Sequence, residues 1–422
     1  MPKLLIVATG TDGDIAPMVA ITQTLSSRYS VAVMTHRQYL GRFEQAGAAG
    51  ALVDLPHEPS EIFASLNGQR CMEGGAAGLR RLIGFYGLVK DYAPGMLLAF
   101  RAGIAKGEAD VVLTSGPTPG VERLALAEGL PVRRIQFQPT WPSPDVGSLY
   151  ISRLQPRFPG SRRIRNLAVS LGGEPLLRAG LLGSSVPTGL HPQLDESFHL
   201  GLTTWFAFPS LLGTRATRSS PAKHIGFIPT SDQYFESANG ECVEVRATLE
   251  SAKRGGRRVL FVGFGSMRTA LARRHAELVV RAAVRLGYFV AHQGEQISGF
   301  PTRGEREQYV RVGALPHRQI FPLVDAVVCH GGINTCAAAL GSAKPLILAP
   351  QWLDQFYWAS RLQELSLAIA TKRPLRRLTE AFALLQAFET SEFASPVQAL
   401  RETPGLAAVE SGIAEMLGVR NG

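Results

Sequence analysis

Residues 312–359 read VGALPHRQIFPLVDAVVCHGGINTCAAALGSAKPLILAPQWLDQFYWA, and the rest of the chain can be arranged around them. Positions 326–329 form a short apolar run fit for a buried parallel strand. His330, Gly331 and Gly332 break that run, and 334–340 is small and apolar, fit for a tightly packed helix that stops at Gly341. Lys344 and Pro345 lead into a second apolar run at 346–349. The pattern is strand, glycine turn, helix, strand. Backbone N–H groups left free at such a helix start bind anions, and adjacent glycines let a phosphate approach closely. Pro350, Gln351, Trp352, Leu353, Asp354 and Gln355 follow the second strand directly. A carboxylate beside an amide can take several sugar hydroxyls by hydrogen bonding. Phosphate at one turn and polyol at the next point to a nucleotide sugar.

The segment resembles the donor-binding signature of family 1 glycosyltransferases, nucleotide-sugar enzymes of the GT-B fold. His330, Gly331, Gly332, Asn334 and Thr335 match its first half; Pro350, Gln351, Trp352, Asp354 and Gln355 match the second, about twenty residues later. The resemblance implies an α/β protein of two Rossmann-like parallel-sheet domains facing a central cleft. It implies that His330 hydrogen-bonds the leaving diphosphate in place of a metal, that Asp354 and Gln355 hold sugar hydroxyls, and that Trp352 forms a wall of the site. Gly265 and Ser266, in GFGSM at 263–267, resemble the family's Phe-Gly-Ser turn on the donor diphosphate. Blander readings stay open: a structural histidine, a helix N-cap pair and a plain strand-end turn. Many members, plant ones especially, carry a Trp that stacks on uracil where this chain has Gly313, Ala314, Leu315 and Pro316. Base recognition is therefore expected from backbone near Leu315 and Pro316 or from another face, and UDP and dTDP donors are not distinguished.

A chain of 422 residues favours two domains, expected at 1–218 and 219–422, because composition turns to Ser, Pro and Gly around 219–232. A last amphipathic helix at about 405–417 is a candidate to pack back on the first domain. Apolar residues make up 45%, enough for a sizeable core, and no apolar run reaches the length of a membrane span. The N-terminus reads as a first strand instead of a signal peptide. Cys71, Cys242, Cys329 and Cys336 lack the spacing of a disulfide framework or zinc site, so a cytoplasmic protein is expected. The formal charge of +10 accompanies no nucleic-acid module. Arg153, Arg157, Arg162, Arg163 and Arg165 form a basic run that reads either as a solvated loop or as peripheral contact with the inner, anionic membrane face.

From the N-terminus, strands are expected at 4–8, 31–35, 51–55, 110–114 and 133–137, and helices at 15–25, 79–104 with a break or kink at Pro94, and 120–128. After 219 the rhythm restarts with strands at 259–264, 288–293 and 309–312 and a helix at 271–286. Strand-end loops carry ligands in such sheets, so 10–14, 265–266, 315–316 and 330–335 are expected to converge. The stretch 141–213 carries no readable motif and is the expected seat of acceptor specificity.

Gly13, Asp14, Ile15, Ala16 and Pro17 occupy the place of the family's Gly-His/Asp-x-x-Pro element. Some bacterial antibiotic, lipid and sterol members carry Asp there as the general base, and this chain resembles that group. A carboxylate within reach of an acceptor hydroxyl can take its proton, and Asp at a helix start also caps the helix. Thr11 and Asp12 are candidate acceptor contacts. His36 reads as a loop residue after a strand, and His317 stands where relatives have Gln or His beside the nucleotide. Asp12 and Asp14 form an Asp-x-Asp, but in the acceptor half, so no metal and no cofactor beyond the sugar nucleotide are expected.

The expectation is an inverting glycosyltransferase, monomer or homodimer. It would move a hexose or deoxyhexose from UDP or dTDP to a hydroxyl of an apolar small molecule, a secondary metabolite, sterol or lipid, as in natural-product glycosylation. The alternatives are a non-catalytic sugar-nucleotide-binding accessory protein and a sugar-nucleotide epimerase or hydrolase on the same fold.

Overall fold

A computed structural model of the chain describes residues 1–50, 52–73, 79–106, 109–116, 118, 121–138, 204–213, 222–230, 239–265, 270–300, 304–351, 354–371, 378–386, 397–398, 400 and 405–418. Ser266, Trp352 and the basic run at 153–165 lie outside them.

The chain divides into two compact units, Met1–Ser231 with Pro404–Gly422, and Asp232–Thr403. In the first, β1 (Lys3–Ala8), β2 (Ser30–His36), β3 (Leu52–Leu55), β4 (Val111–Ser115), β5 (Val132–Gln136), β6 (Thr204–Phe206) and β7 (Lys223–His224) form one sheet in the order 3-2-1-4-5-6-7. Every adjacent pair is parallel. The helices are α1 (Asp12–Leu25), α2 (Arg37–Gln45), α3 (Pro59–Ala64), α4 (Leu66–Glu73), α5 (Leu79–Lys106) and α6 (Val121–Ala127). The central strands are unbroken apolar runs because helices cover both faces of a parallel sheet. Leu5 and Val7 of β1, Met34 of β2 and Val112 of β4 pack with Met96, Phe100 and Ile104 of α5 in one core. Gly103 of α5 lies so close to Met34 that a Cβ there would meet its Sδ at 2.3 Å.

The second unit repeats the plan. Strands β8 (Val259–Gly263), β9 (Phe289–Gln293), β10 (Tyr309–Val312), β11 (Ala326–Cys329), β12 (Leu346–Leu348) and β13 (Ala368–Ala370) form a parallel sheet in the order 10-9-8-11-12-13. Its helices are α7 (Asn239–Arg254), α8 (Ala270–Arg285), α9 (His317–Ile320), α10 (Ile333–Gly341), α11 (Gln355–Glu364) and α12 (Leu378–Gln386). Each sheet reverses its strand order once, between β1 and β4 and between β8 and β11. Ligands of such sheets bind at the carboxyl ends of the strands flanking that reversal.

Several expectations are corrected. The first unit runs past position 218, because β7 at Lys223–His224 pairs with β6. By contrast, helix α13 (Leu406–Met416), the candidate to pack back on the first domain, does lie in this unit: Glu410 pairs with Arg28 at 2.5 Å, and Gly412 lies flat against the Trp205 indole. Helix α5 continues through Pro94 to Lys106 without the expected break. Gly341 is still helical, and the left-handed residue that reverses the chain after α10 is Ala343 at φ 51°. His36 is the last residue of β2 and is buried. Among the described residues no helix is long and apolar enough to cross a membrane.

Candidate active site

At the reversal of the second sheet, β8 leads into Phe264-Gly265 and β11 into His330-Gly331-Gly332. The half-buried His330 ring lies between two glycines. A Cβ on Gly265 would meet its Cε1 at 2.8 Å, and one on Gly332 would meet its Nε2 at 2.5 Å. Gly265 has φ +78° and Gly331 φ +89°, a region that costs a side-chain-bearing residue about 1 kcal/mol or more. Gly265 and Gly332 therefore make one imidazole-sized slot, with Gly331 turning the chain between them and α10. Gly332 caps α10, so the first turn of that helix, with Asn334 and Thr335, opens directly behind His330. Its backbone N–H groups and the positive end of the helix dipole favour an anion there.

The second half of the signature packs against the first. A Cβ on Gly331 would lie 3.2 Å from the Gln355 carbonyl oxygen. Buried Gln355 accepts the Gln351 N–H through Oε1 at 2.9 Å, and Asp354 accepts the Trp358 indole N–H through Oδ2 at 2.8 Å. The Gln351 amide in turn meets Nδ1 of buried His275 at 3.3 Å. Part of the polar capacity of Asp354 and Gln355 thus shapes the turn itself. Leu315 and Pro316 are buried between β10 and α9. Gln293 fixes that turn: it donates to the Gly313 carbonyl at 2.9 Å, and its Oε1 accepts from His317 Nε2 at 3.4 Å. His317 stacks on Phe321 at 4.5 Å. Burial pushes both His317 and His330 down to about 4, so both rings are neutral at pH 7. Neutral His330 can still donate one N–H to a phosphate oxygen.

At the reversal of the first sheet, the loop after β1 carries its own group of polar side chains. Asp14 accepts the Thr11 N–H through Oδ2 at 3.1 Å and the Thr11 hydroxyl at 3.4 Å, closing a capping box on α1. Gly10 has φ +112°, and a Cβ there would fall 2.3 Å from Asp14 Oδ2. Burial raises the Asp14 carboxyl from 3.8 to about 6, against the lowering effect of its bonds to Thr11. Capping and basicity therefore coexist in one side chain. Asp12 points elsewhere, into an ion pair with Arg42 at 3.2 Å. The loop after β4 is held by Arg134, whose guanidinium pairs with buried Glu122 and donates to the carbonyls of Gly116 and Thr118 at 3.1 and 3.0 Å. Among the described residues, no group of three or more His, Cys, Asp or Glu side chains converges.

Sequence reasoning did not single out His36, Gln293, His275 or Arg134 for these roles. His36 and Gln293 close strands, Arg134 lies inside one and His275 lies on a helix, and nothing in the local pattern marks which loop each reaches.

Two Rossmann-ordered sheets of this kind are shared with solved proteins along nearly the whole chain. The glycotransferase of kitacinnamycin superposes with a TM-score of 0.69 at 19% identity, over 98% of this chain and 99% of that one. The glycosyltransferase VinC, solved with dTDP, gives 0.67 at 17% identity over 99% of both chains. Phytolacca americana UGT2, solved with UDP-2fluoro-glucose and pterostilbene, gives 0.63 at 16% over 99% and 100%. The chain has the GT-B fold. No family model matches it. Sequence similarity runs to sterol 3-beta-glucosyltransferases. That of Saccharomyces cerevisiae (strain YJM789) is 29% identical over 137 residues, 31% of this chain and 11% of that protein. That of Yarrowia lipolytica is 31% identical over 132 residues, 30% of this chain and 9% of that protein. The matches thus span about a tenth of those relatives' length. In this GT-B chain both comparisons agree with the family that the donor-turn motifs resemble.

Proposed function

We propose that this GT-B chain is an inverting glycosyltransferase that moves a hexose or deoxyhexose from UDP or dTDP to a hydroxyl of an apolar small molecule, a sterol being the first class to try. The observation that carries the reading is the His330 slot, in which Gly265 and Gly332 seat an imidazole beside the N-terminus of α10. A diphosphate has the charge and oxygen geometry for it. The relatives that share part of the sequence are named for sterol glucosylation, and VinC was solved with dTDP.

In the proposed reaction Asp14 takes the proton from the acceptor hydroxyl. The oxygen attacks the anomeric carbon, forming a glycosidic bond on the face opposite the breaking bond to phosphate. The nucleoside diphosphate departs with the electron pair. His330 Nε2–H and the α10 amides meet the charge that grows on the leaving oxygen, so the reaction needs no metal. A carboxyl raised to about 6 is ionised at neutral pH yet more basic than an exposed aspartate, which suits proton abstraction. Asp354 and Gln355 hold sugar hydroxyls with the oxygens not engaged in the turn.

The test is turnover of UDP-glucose and dTDP-glucose with ergosterol in EDTA, beside melting curves with UDP and dTDP. Wild type and Asp14→Asn are expected to melt higher with one diphosphate, His330→Ala is not, and only wild type is expected to form a glycoside of inverted configuration. A melting shift with no glycoside for any hydroxylated acceptor would favour a sugar-nucleotide-binding protein instead.

A further inference from the structure

We infer that His36 is a positioning residue for Asp14, holding the 10–14 loop through the Gly10 amide; the inference rests on the reading of Asp14 as the base. His36 closes β2, the strand beside β1, and only 2% of it is exposed. Its Nδ1 lies 2.7 Å from the His57 carbonyl oxygen, which can only accept, so Nδ1 carries the proton and Nε2 presents a lone pair. That lone pair faces the Gly10 N–H at 3.5 Å. On the far side of Gly10, Asp14 Oδ2 fills the space a Cβ would need. Gly10 is thus pressed between the imidazole and the carboxylate, and what moves one side of it moves the other.

The far end of the relay is also fixed. His57 has φ 70°, and its ring meets Tyr92 of α5 edge-on at 4.9 Å. The charged and titratable groups around His36 are Asp54 of β3, paired with Arg37 at 2.6 Å, His57 itself, Tyr39 of α2 with its ring 6.5 Å away, and Glu58, which accepts the Gln38 N–H. Beyond Gly10 stand Asp14 and the Asp12–Arg42 pair. Burial outweighs the Asp54 carboxylate and keeps His36 below its ordinary value, hence neutral at pH 7. A second proton on Nε2 would turn lone pair against N–H into N–H against N–H. The loop would then shift and carry the base with it.

Two measurements on the full chain test this. Labelling with 13C-carbonyl Thr and 15N Gly isolates two amides, those following Thr9 and Thr188, because the sequence holds only these two Thr-Gly pairs. The Gly10 amide is expected to move with the same midpoint as the His36 ring nitrogens, and to stop moving in His36→Gln, which keeps an acceptor but cannot titrate. A Gly10 amide that ignores the His36 titration overturns the inference, whether or not the protein is a transferase. In turnover of UDP-glucose with ergosterol, His36→Ala is expected to lower kcat about tenfold or more with donor KM nearly unchanged. His36→Gln should recover most of that loss and make the acid limb shallower, from two protons to one. An unaltered kcat in His36→Ala overturns it as well. No turnover by the wild type would count against the glycosyltransferase reading and leave the amide titration to decide the positioning.

Discussion

The Cε1 of His330 lies 2.8 Å from the point where a side chain at Gly265 would begin. The end of β8 and the end of β11 therefore pack as one structural unit, and the His330 ring fits there only because neither Gly265 nor Gly332 has a Cβ.

Gly265→Ala is accordingly expected to abolish the melting shift with UDP or dTDP, through both the clash and the cost of φ +78°. Gly341→Ala is the control: it is helical and has nothing within 4 Å of the added methyl. If Gly265→Ala responds to nucleotide as the wild type does, His330 is not the phosphate contact.

Asp14→Asn should stabilise the protein while stopping transfer. Its folded carboxyl is raised above the unfolded value, so the folded state binds the proton more tightly, and stability declines as pH rises from about 4 to about 6. Above that window the ionised, half-buried carboxylate costs roughly 1–3 kcal/mol, allowing for its partial exposure. Asn keeps the acceptor for Thr11 N–H without that charge. The variant should melt higher than wild type at pH 8, with the difference shrinking toward pH 4. A lower melting point at pH 8 would show that the carboxylate is not desolvated.

Acid should destabilise the second unit. His275, His292, His317 and His330 are each pushed down to about 4, with burial the main cause. Their unfolded counterparts take protons near 6.5, so this stability is complete above that pH and is lost as pH falls toward 4. Urea unfolding at several pH values should show the decline, and His275→Gln should flatten it. A flat profile between pH 7 and 5 would contradict the burial of these rings.

Gln355→Leu should lower stability as well as donor affinity. The leucine cannot accept the Gln351 N–H, and a buried donor left unpaired costs about 1–3 kcal/mol. Gln355→Glu retains an acceptor and should fold closer to wild type. If the leucine variant melts normally and only KM for donor changes, Gln355 acts on the sugar alone.

The sequence by itself marked the central strands, because they are unbroken apolar runs: 326–329, 4–8 and 259–264 need no partner to be recognised, whereas β6, β7 and β13, two or three residues long, carried too little pattern. It also marked the turns at 330–335 and 350–355, where closely spaced glycines and polar residues carry the signal within some twenty-five positions. What it could not determine were relations between residues far apart in the chain. His36 reads as a loop end, yet sheet pairing sets it beside Gly10, 26 residues earlier. Gln293 and Gly313 meet across two parallel strands, and Arg134 reaches the loop after a neighbouring one. The last helix was a candidate to join the first unit, but its contacts with Arg28 and Trp205 were not legible. Strand order and register settle all of these, and they come from packing the whole apolar core at once, so the tertiary structure alone decided which histidine faces the Gly10 amide and which glycines make room for the His330 ring.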